Sequence, residues 1–145
     1  MKSLPRMVQL TALLLVALAA PGCTDRGDAI AAARGDWLFI NYWATWCKPC
    51  RREVPELNAL HERPGYTVLG VNYDGTLGEA LADEERDLAI TFPTLTSDPA
   101  RRYQVERPQV LPTTLVITPA GELAQVLVGP QTEDSLLAAT RSGDQ

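Results

Sequence analysis

Apolar residues change their period several times along this chain, and each change predicts an element. Leu38 to Trp43 (LFINYW) is a nearly unbroken run of bulky apolar and aromatic residues. It is too short for an ordinary helix and predicts a strand buried on both faces. After Cys50, Val54, Leu57 and Leu60 recur every third residue, as on one helical face. Glu53 and Glu56 near the start of that helix, and His61 and Arg63 near its end, complement the helix dipole. Pro64-Gly65 should stop it, and Pro55 inside it should kink it. Tyr66 to Tyr73 (YTVLGVNY) predicts a second strand, turned by Asp74-Gly75. Leu77 to Ile90 predicts a helix with Leu77, Leu81, Leu88 and alanines inward, and Asp83, Glu84, Glu85 and Asp87 on a solvated face. Phe92 to Leu95 is short and extended. Ser97-Asp98-Pro99 opens a short helix to about Tyr103. Thr113 to Thr118 and Leu123 to Val128 form a hairpin about Pro119–Glu122, and Thr132 caps a last helix with Leu136 and Leu137 inward. Strand–helix alternation followed by a hairpin predicts an α/β domain with a central mixed sheet flanked by helices.

The first 22 residues do not belong to that pattern. Lys2 and Arg6 give a basic start, and Met7 to Ala20 is apolar apart from Gln9 and Thr11. That stretch falls short of the roughly 20 residues that span a bilayer, and the order matches a secretory signal peptide. An uncleaved anchor is the alternative; either way the domain is expected outside the cytoplasm. Ala20-Pro21-Gly22-Cys23 resembles a bacterial lipobox, which would lipidate Cys23 and tether the domain to a membrane. Ordinary cleavage after Ala19 or Ala20 is the competing reading. The organisation expected is therefore a signal peptide at 1–22, a tether and short helix at 23–35 (capped by Asp28, ended by Gly35), and one domain at 36–142. The 145 residues suit a single domain, and 46% hydrophobic with 21% charged residues is a globular composition. The net charge of −5 argues against a nucleic-acid partner.

The three cysteines are an odd number for an exported chain. Lipidation of Cys23 would leave Cys47 and Cys50 as a closed pair. Trp46-Cys47-Lys48-Pro49-Cys50 follows the first strand and opens a helix. A thiolate at a helix N-terminus meets unpaired N–H groups and the positive dipole end, so its pKa falls below about 8.5. Cys47 is thus the candidate nucleophile and Cys50 the resolving thiol. Pro49 costs little in a first turn, and Lys48 adds a nearby cation. A structural disulfide and a zinc half-site are the bland readings. The first would close too small a loop to stabilise much. The second lacks ligands, since only Cys23 and His61 remain, so no metal is assigned. Trp43 reads as core, Trp46 as partly exposed beside the thiolate, and Arg51 and Arg52 as facing water.

WATWCKPC, Pro55 and Leu111-Pro112-Thr113 together resemble the thioredoxin superfamily over about residues 36–140. The resemblance implies a thioredoxin fold with Pro112 as a cis-proline against the cysteines. It also implies that Leu111, Pro112 and Thr113, with Trp46, bind the substrate chain like an added strand. NYWATWCKPCRREVPELN and GVNYD are similar to bacterial envelope oxidoreductases of the ResA, TlpA and cytochrome-c-maturation type. The segment between Tyr73 and Pro112 resembles the extra helix of that branch. Glu53 matches its acid three residues after the second cysteine, a candidate proton relay; the bland reading is an ordinary first-turn acid. Asn41 stands where thioredoxin keeps a buried Asp, which removes that proton acceptor. Thr113 stands where cytochrome-maturation members carry Glu, so apocytochrome is not assigned as substrate. The branch's N-terminal hairpin has no counterpart here.

The resemblance implies a thiol–disulfide oxidoreductase that reduces protein disulfides, needs no cofactor, and is recharged by a transmembrane electron donor of the DsbD or CcdA kind. The alternatives are a disulfide donor with the same site, a thiol peroxidase, and a non-enzymatic copper metallochaperone using His61.

Overall fold

The structure, a computed structural model, describes residues 29–142. The expected signal peptide, Cys23 and the Asp28 cap lie outside the described residues. Helix α1 (Ala29–Ala32) is followed by β1 (Trp37–Trp43), α2 (Lys48–His61), β2 (Tyr66–Asn72), α3 (Gly78–Asp87) and β3 (Thr94–Leu95). A 3₁₀ turn over Ala100–Tyr103 then leads to β4 (Thr113–Ile117), β5 (Leu123–Val128) and α4 (Glu133–Ser142). The sheet order is β3-β2-β1-β4-β5. β1–β2 and β2–β3 are parallel, whereas β1–β4 and β4–β5 are antiparallel. This is the mixed sheet that strand–helix alternation plus a hairpin requires.

β1 is buried on both faces and sorts its side chains by parity. Leu38, Ile40 and Tyr42 join Leu69, Val71, Leu115 and Ile117 in one core, against which Ala29 and Ile30 of α1 pack. Phe39 joins Val68 and Val116 in the other core, with Leu57 and Leu60 of α2 and Leu136 and Ala139 of α4. A third cluster lies at the C-terminal end of β1, where Trp43, Ala44, Cys47 and Cys50 meet Leu81 and Leu88.

α2 continues unbroken through Pro55 and ends at His61, before Pro64-Gly65, with Glu62 as its C-cap. Thr132 caps α4 as expected, its Oγ1 accepting the Ser135 N–H at 3.2 Å.

Four expectations are corrected. The helix expected from Leu77 to Ile90 is shorter, because Leu77 is its N-cap and Ala89, at φ 56°, turns the chain out of the helix. Leu77, expected inward, is 56% exposed, while Leu81 and Leu88 are buried. Glu84, expected in solvent, is half-buried and accepts from Asn72 Nδ2 at 2.6 Å and Thr76 Oγ1 at 3.1 Å. It ties α3 to the end of β2. The segment after Ser97 is a 3₁₀ turn that begins only after Pro99.

Candidate active site

Cys47 is the N-cap of α2, and its Sγ accepts the Cys50 backbone N–H at 3.2 Å. The two sulfurs form a disulfide of 2.02 Å. A cap residue whose side chain faces free N–H groups is where a thiolate is best stabilised. Cys47 is 4% exposed and Cys50 0%, so an incoming group meets Cys47 first.

Trp46 stands at the rim, 62% exposed. Its Nε1 donates to Asp74 Oδ2 at 2.9 Å, and its ring meets Tyr73 edge-on at 6.4 Å. The Arg107 guanidinium lies 4.1 Å over the Tyr73 ring and pairs with Asp98 at 3.1 Å. Asp98 also accepts the Tyr42 hydroxyl at 2.7 Å. Burial first, then Asp98, pushes the Tyr42 hydroxyl upward, which keeps it a donor. This tie between the 98–107 segment and the strand ends was not read from the sequence; its residues are far apart and carry no motif.

The Leu111–Pro112 bond is cis. Leu111 is half-buried against the cluster that holds both cysteines. Pro112 is buried, and its carbonyl accepts the Gly129 N–H at 2.9 Å. Thr113 is also buried, with its hydroxyl donating to the Val110 carbonyl at 2.8 Å. The structure thus brings Leu111 and the cysteines together, with Pro112 and Thr113 directly beyond.

On the inner side, Glu53 is 1% exposed. Asn41 Nδ2 donates to its Oε1 at 2.6 Å, and the Gln131 N–H donates to its Oε2 at 2.9 Å. Asn41 also donates to Thr114 Oγ1 at 3.0 Å, its register partner on β4. Burial raises the Glu53 carboxyl to about 7, against the lowering effect of those two donors. Glu53 lies one turn from Cys50 on α2 and also lines a cavity of about 220 Å³ with Arg52, Glu56, Pro130, Gln131 and Thr132. Asn41 removes one carboxylate from this interior, yet its amide secures another that arrives from α2. A lone polar residue inside LFINYW was the available signal for a buried partner.

His61 ends α2, roughly 20 Å from Cys47 at about 1.5 Å per residue. Its Nδ1 accepts the Val68 N–H at 3.1 Å, and burial lowers its proton affinity. His61 and the cysteine pair therefore do not meet.

A redox disulfide at a helix N-terminus, a cis-proline segment beside it and this sheet order define a thioredoxin-fold thiol–disulfide oxidoreductase. The chain belongs to the AhpC/TSA family, whose model matches residues 17–126. It is 31% identical to the thiol-disulfide oxidoreductase ResA of Geobacillus kaustophilus, over 94% of this chain and 95% of that protein. Among solved structures, it is similar to a DsbF homologue from Corynebacterium diphtheriae (27% identity, TM-score 0.66, 76% of this chain and 73% of that one). It is also similar to a secreted thiol-disulfide isomerase from Corynebacterium glutamicum (27% identity, TM-score 0.65, 80% and 75%).

Proposed function

We propose that the protein reduces protein disulfides in the bacterial cell envelope. The observation that carries this reading is the Cys50 N–H aimed at Cys47 Sγ on the helix cap. Reduced Cys47, as thiolate, attacks one sulfur of a substrate disulfide, and the other sulfur leaves as a thiolate. Cys50 then gives up its proton and attacks Cys47 Sγ, releasing the second substrate thiolate and closing the Cys47–Cys50 disulfide. Glu53, one turn away and poised near neutrality, is the acceptor for the Cys50 proton. Trp46 and Leu111 form the surface against which the substrate backbone lies, backed by the buried Pro112 and Thr113.

Each turnover leaves the enzyme short of two electrons, and an oxidising compartment does not supply them. A transmembrane donor of the DsbD or CcdA kind fills that need. Export by residues 1–22 and lipidation at Cys23 would hold the 36–142 domain on the membrane face where such a donor opens. The secreted isomerase among the similar structures supports an exported location.

Replacing Cys50 with Ser tests the scheme. Cys50→Ser should accumulate mixed disulfides through Cys47, and Cys47→Ser should abolish turnover. Failure to recover any Cys47-linked partner from an oxidising extract would count against two-step exchange. The AhpC/TSA match favours a second reading, a thiol peroxidase. Peroxide consumed by the reduced chain as fast as protein disulfide would put that reading first.

A further inference from the structure

A buried proton acceptor must be emptied before it can act again. Glu53 is 1% exposed, so a proton taken from Cys50 needs a way out. Towards β1 the way is closed, because Asn41 Nδ2 holds Oε1 at 2.6 Å and Asn41 itself is buried. On the other side Oε2 meets the Gln131 N–H at 2.9 Å, and there a cavity of about 220 Å³ begins. Its lining is Arg52, Glu53 and Glu56 of α2, with Pro130, Gln131 and Thr132 of the loop before α4. Arg52, Pro130 and Thr132 are exposed, and Glu56 and Gln131 half-buried, so the cavity leads from the buried carboxyl to the surface. At about 30 Å³ per molecule it has room for several waters, and its walls carry the polar groups that bind them.

Glu56 stands on that path. It follows Glu53 by three residues on α2, which puts the two Cβ atoms about 5–6 Å apart on one helix face. Besides Glu53, it is the one carboxylate in the cavity lining among the described residues. Its Oε2 accepts the N–H of Glu133, the first residue of α4, at 2.9 Å. That contact holds Glu56 in place and also satisfies an orphan N–H of α4, a structural role distinct from carrying protons. The charged groups about the cavity are Arg52 and the two glutamates of α2, with Glu133 at the head of α4 paired to Arg63 at 2.6 Å. β1 and the loop contribute only neutral groups: Asn41, Pro130, Gln131 and Thr132.

We propose that this cavity is the proton exit of the redox site and that Glu56 is its carrier. As Cys50 attacks Cys47 Sγ, the Cys50 S–H bond breaks and the proton forms an O–H bond on Glu53. That bond then breaks towards the cavity. The proton passes through cavity water to the Glu56 carboxylate and on to solvent, which leaves Glu53 an anion again. The exit moves one proton for each disulfide reduced and needs no further oxidant or reductant. When the pair is recharged, the same path carries a proton inward. The proposal rests on the reductase reading with Glu53 as acceptor, and it adds Glu56 to that machinery.

The test is a single turnover of the reduced full chain with dithiobis(nitrobenzoate), whose two halves leave as coloured thiolates. A Cys23→Ser background leaves Cys47 and Cys50 as the reacting thiols. The solution is weakly buffered above the Glu53 midpoint of about 7 and contains a pH indicator. Each turnover then releases two thiolates and one proton. With Glu56 present, the proton should appear in step with the second thiolate. In Glu56→Gln, whose amide oxygen still accepts the Glu133 N–H, the proton should trail that thiolate by about a hundredfold, the lower end of what positioned proton transfer contributes. Added imidazole, small enough to enter the cavity, should close the gap. Glu56→Asp retains a carboxylate and should keep the two signals in step. A Glu56→Gln proton that keeps pace with its thiolate overturns the exit. A lag that imidazole leaves untouched also overturns it and assigns Glu56 to holding α4 alone. Release of both thiolates without a proton overturns Glu53 as acceptor, and the exit with it, while the reductase reading stands. Release of no thiolate overturns all three.

Discussion

The two flanks of the α2 N-terminus differ in almost every physical respect. The outer flank, with Trp46 at the rim, is exposed and apolar. The inner flank, one turn further on, is buried and polar; Glu53 and Asn41 are each 1% exposed, and both Glu53 carboxylate oxygens have a donor. In the proposed scheme the same cysteine pair faces a partner on one side and a proton acceptor on the other. Thiol exchange needs both, because a disulfide must be reached from outside while the resolving thiol loses its proton inside. The difference teaches where substitutions register. On the inner flank they appear as stability and pH dependence, and on the outer flank as KM.

The largest effect is expected at Glu53. Its folded-state pKa lies above its ordinary value, so the folded protein holds that proton more tightly than the unfolded chain does. The stability this supplies is whole below about pH 4.5 and is lost as pH rises through about 7. Wild-type protein should therefore lose about 3 kcal/mol relative to Glu53→Gln between those limits, from the shift at about 1.4 kcal/mol per unit. Urea unfolding of both proteins across that range checks it, and parallel curves would show that Glu53 does not titrate there. Gly70→Ala comes next. A Cβ at Gly70 would sit 2.6 Å from Trp43 Nε1 and 2.9 Å from Thr94 Oγ1, inside the packing behind the cysteines. A loss of about 1–3 kcal/mol is expected in thermal or denaturant unfolding. Asn41→Ala removes one donor from a buried carboxylate and should cost about 1–2 kcal/mol. It should also move the pH midpoint of disulfide exchange upward, which a packing defect alone would not do. The smallest stability effect belongs to the outer flank. Trp46→Ala should change stability by under about 0.5 kcal/mol yet raise KM for protein disulfides several-fold.

Much of this was legible in the sequence, for definite reasons. β1, β2 and the hairpin are apolar runs bounded by turn residues, and the cysteine pair lies between a strand and an amphipathic helix. α3 was read too long because Leu77 falls in phase with Leu81 and Leu88, although the chain enters the helix only at Gly78. Period alone does not locate a cap. Glu84 was assigned to solvent because its neighbours are acids, while Asn72 and Thr76 draw it inward. The pairing of Asn41 with Glu53 escaped because it joins a strand to a helix across twelve positions. Read separately, Asn41 is a lost acid and Glu53 a candidate proton relay or an ordinary first-turn acid.

The most direct test of the account is the reduction potential of the Cys47–Cys50 couple, measured by equilibration of the protein with glutathione or dithiothreitol buffers. The account predicts a reversible two-electron couple around −270 mV, the range of reductants recharged by a dedicated donor. A value around −120 mV, the range of strong oxidants, would contradict it and make the same site a disulfide donor.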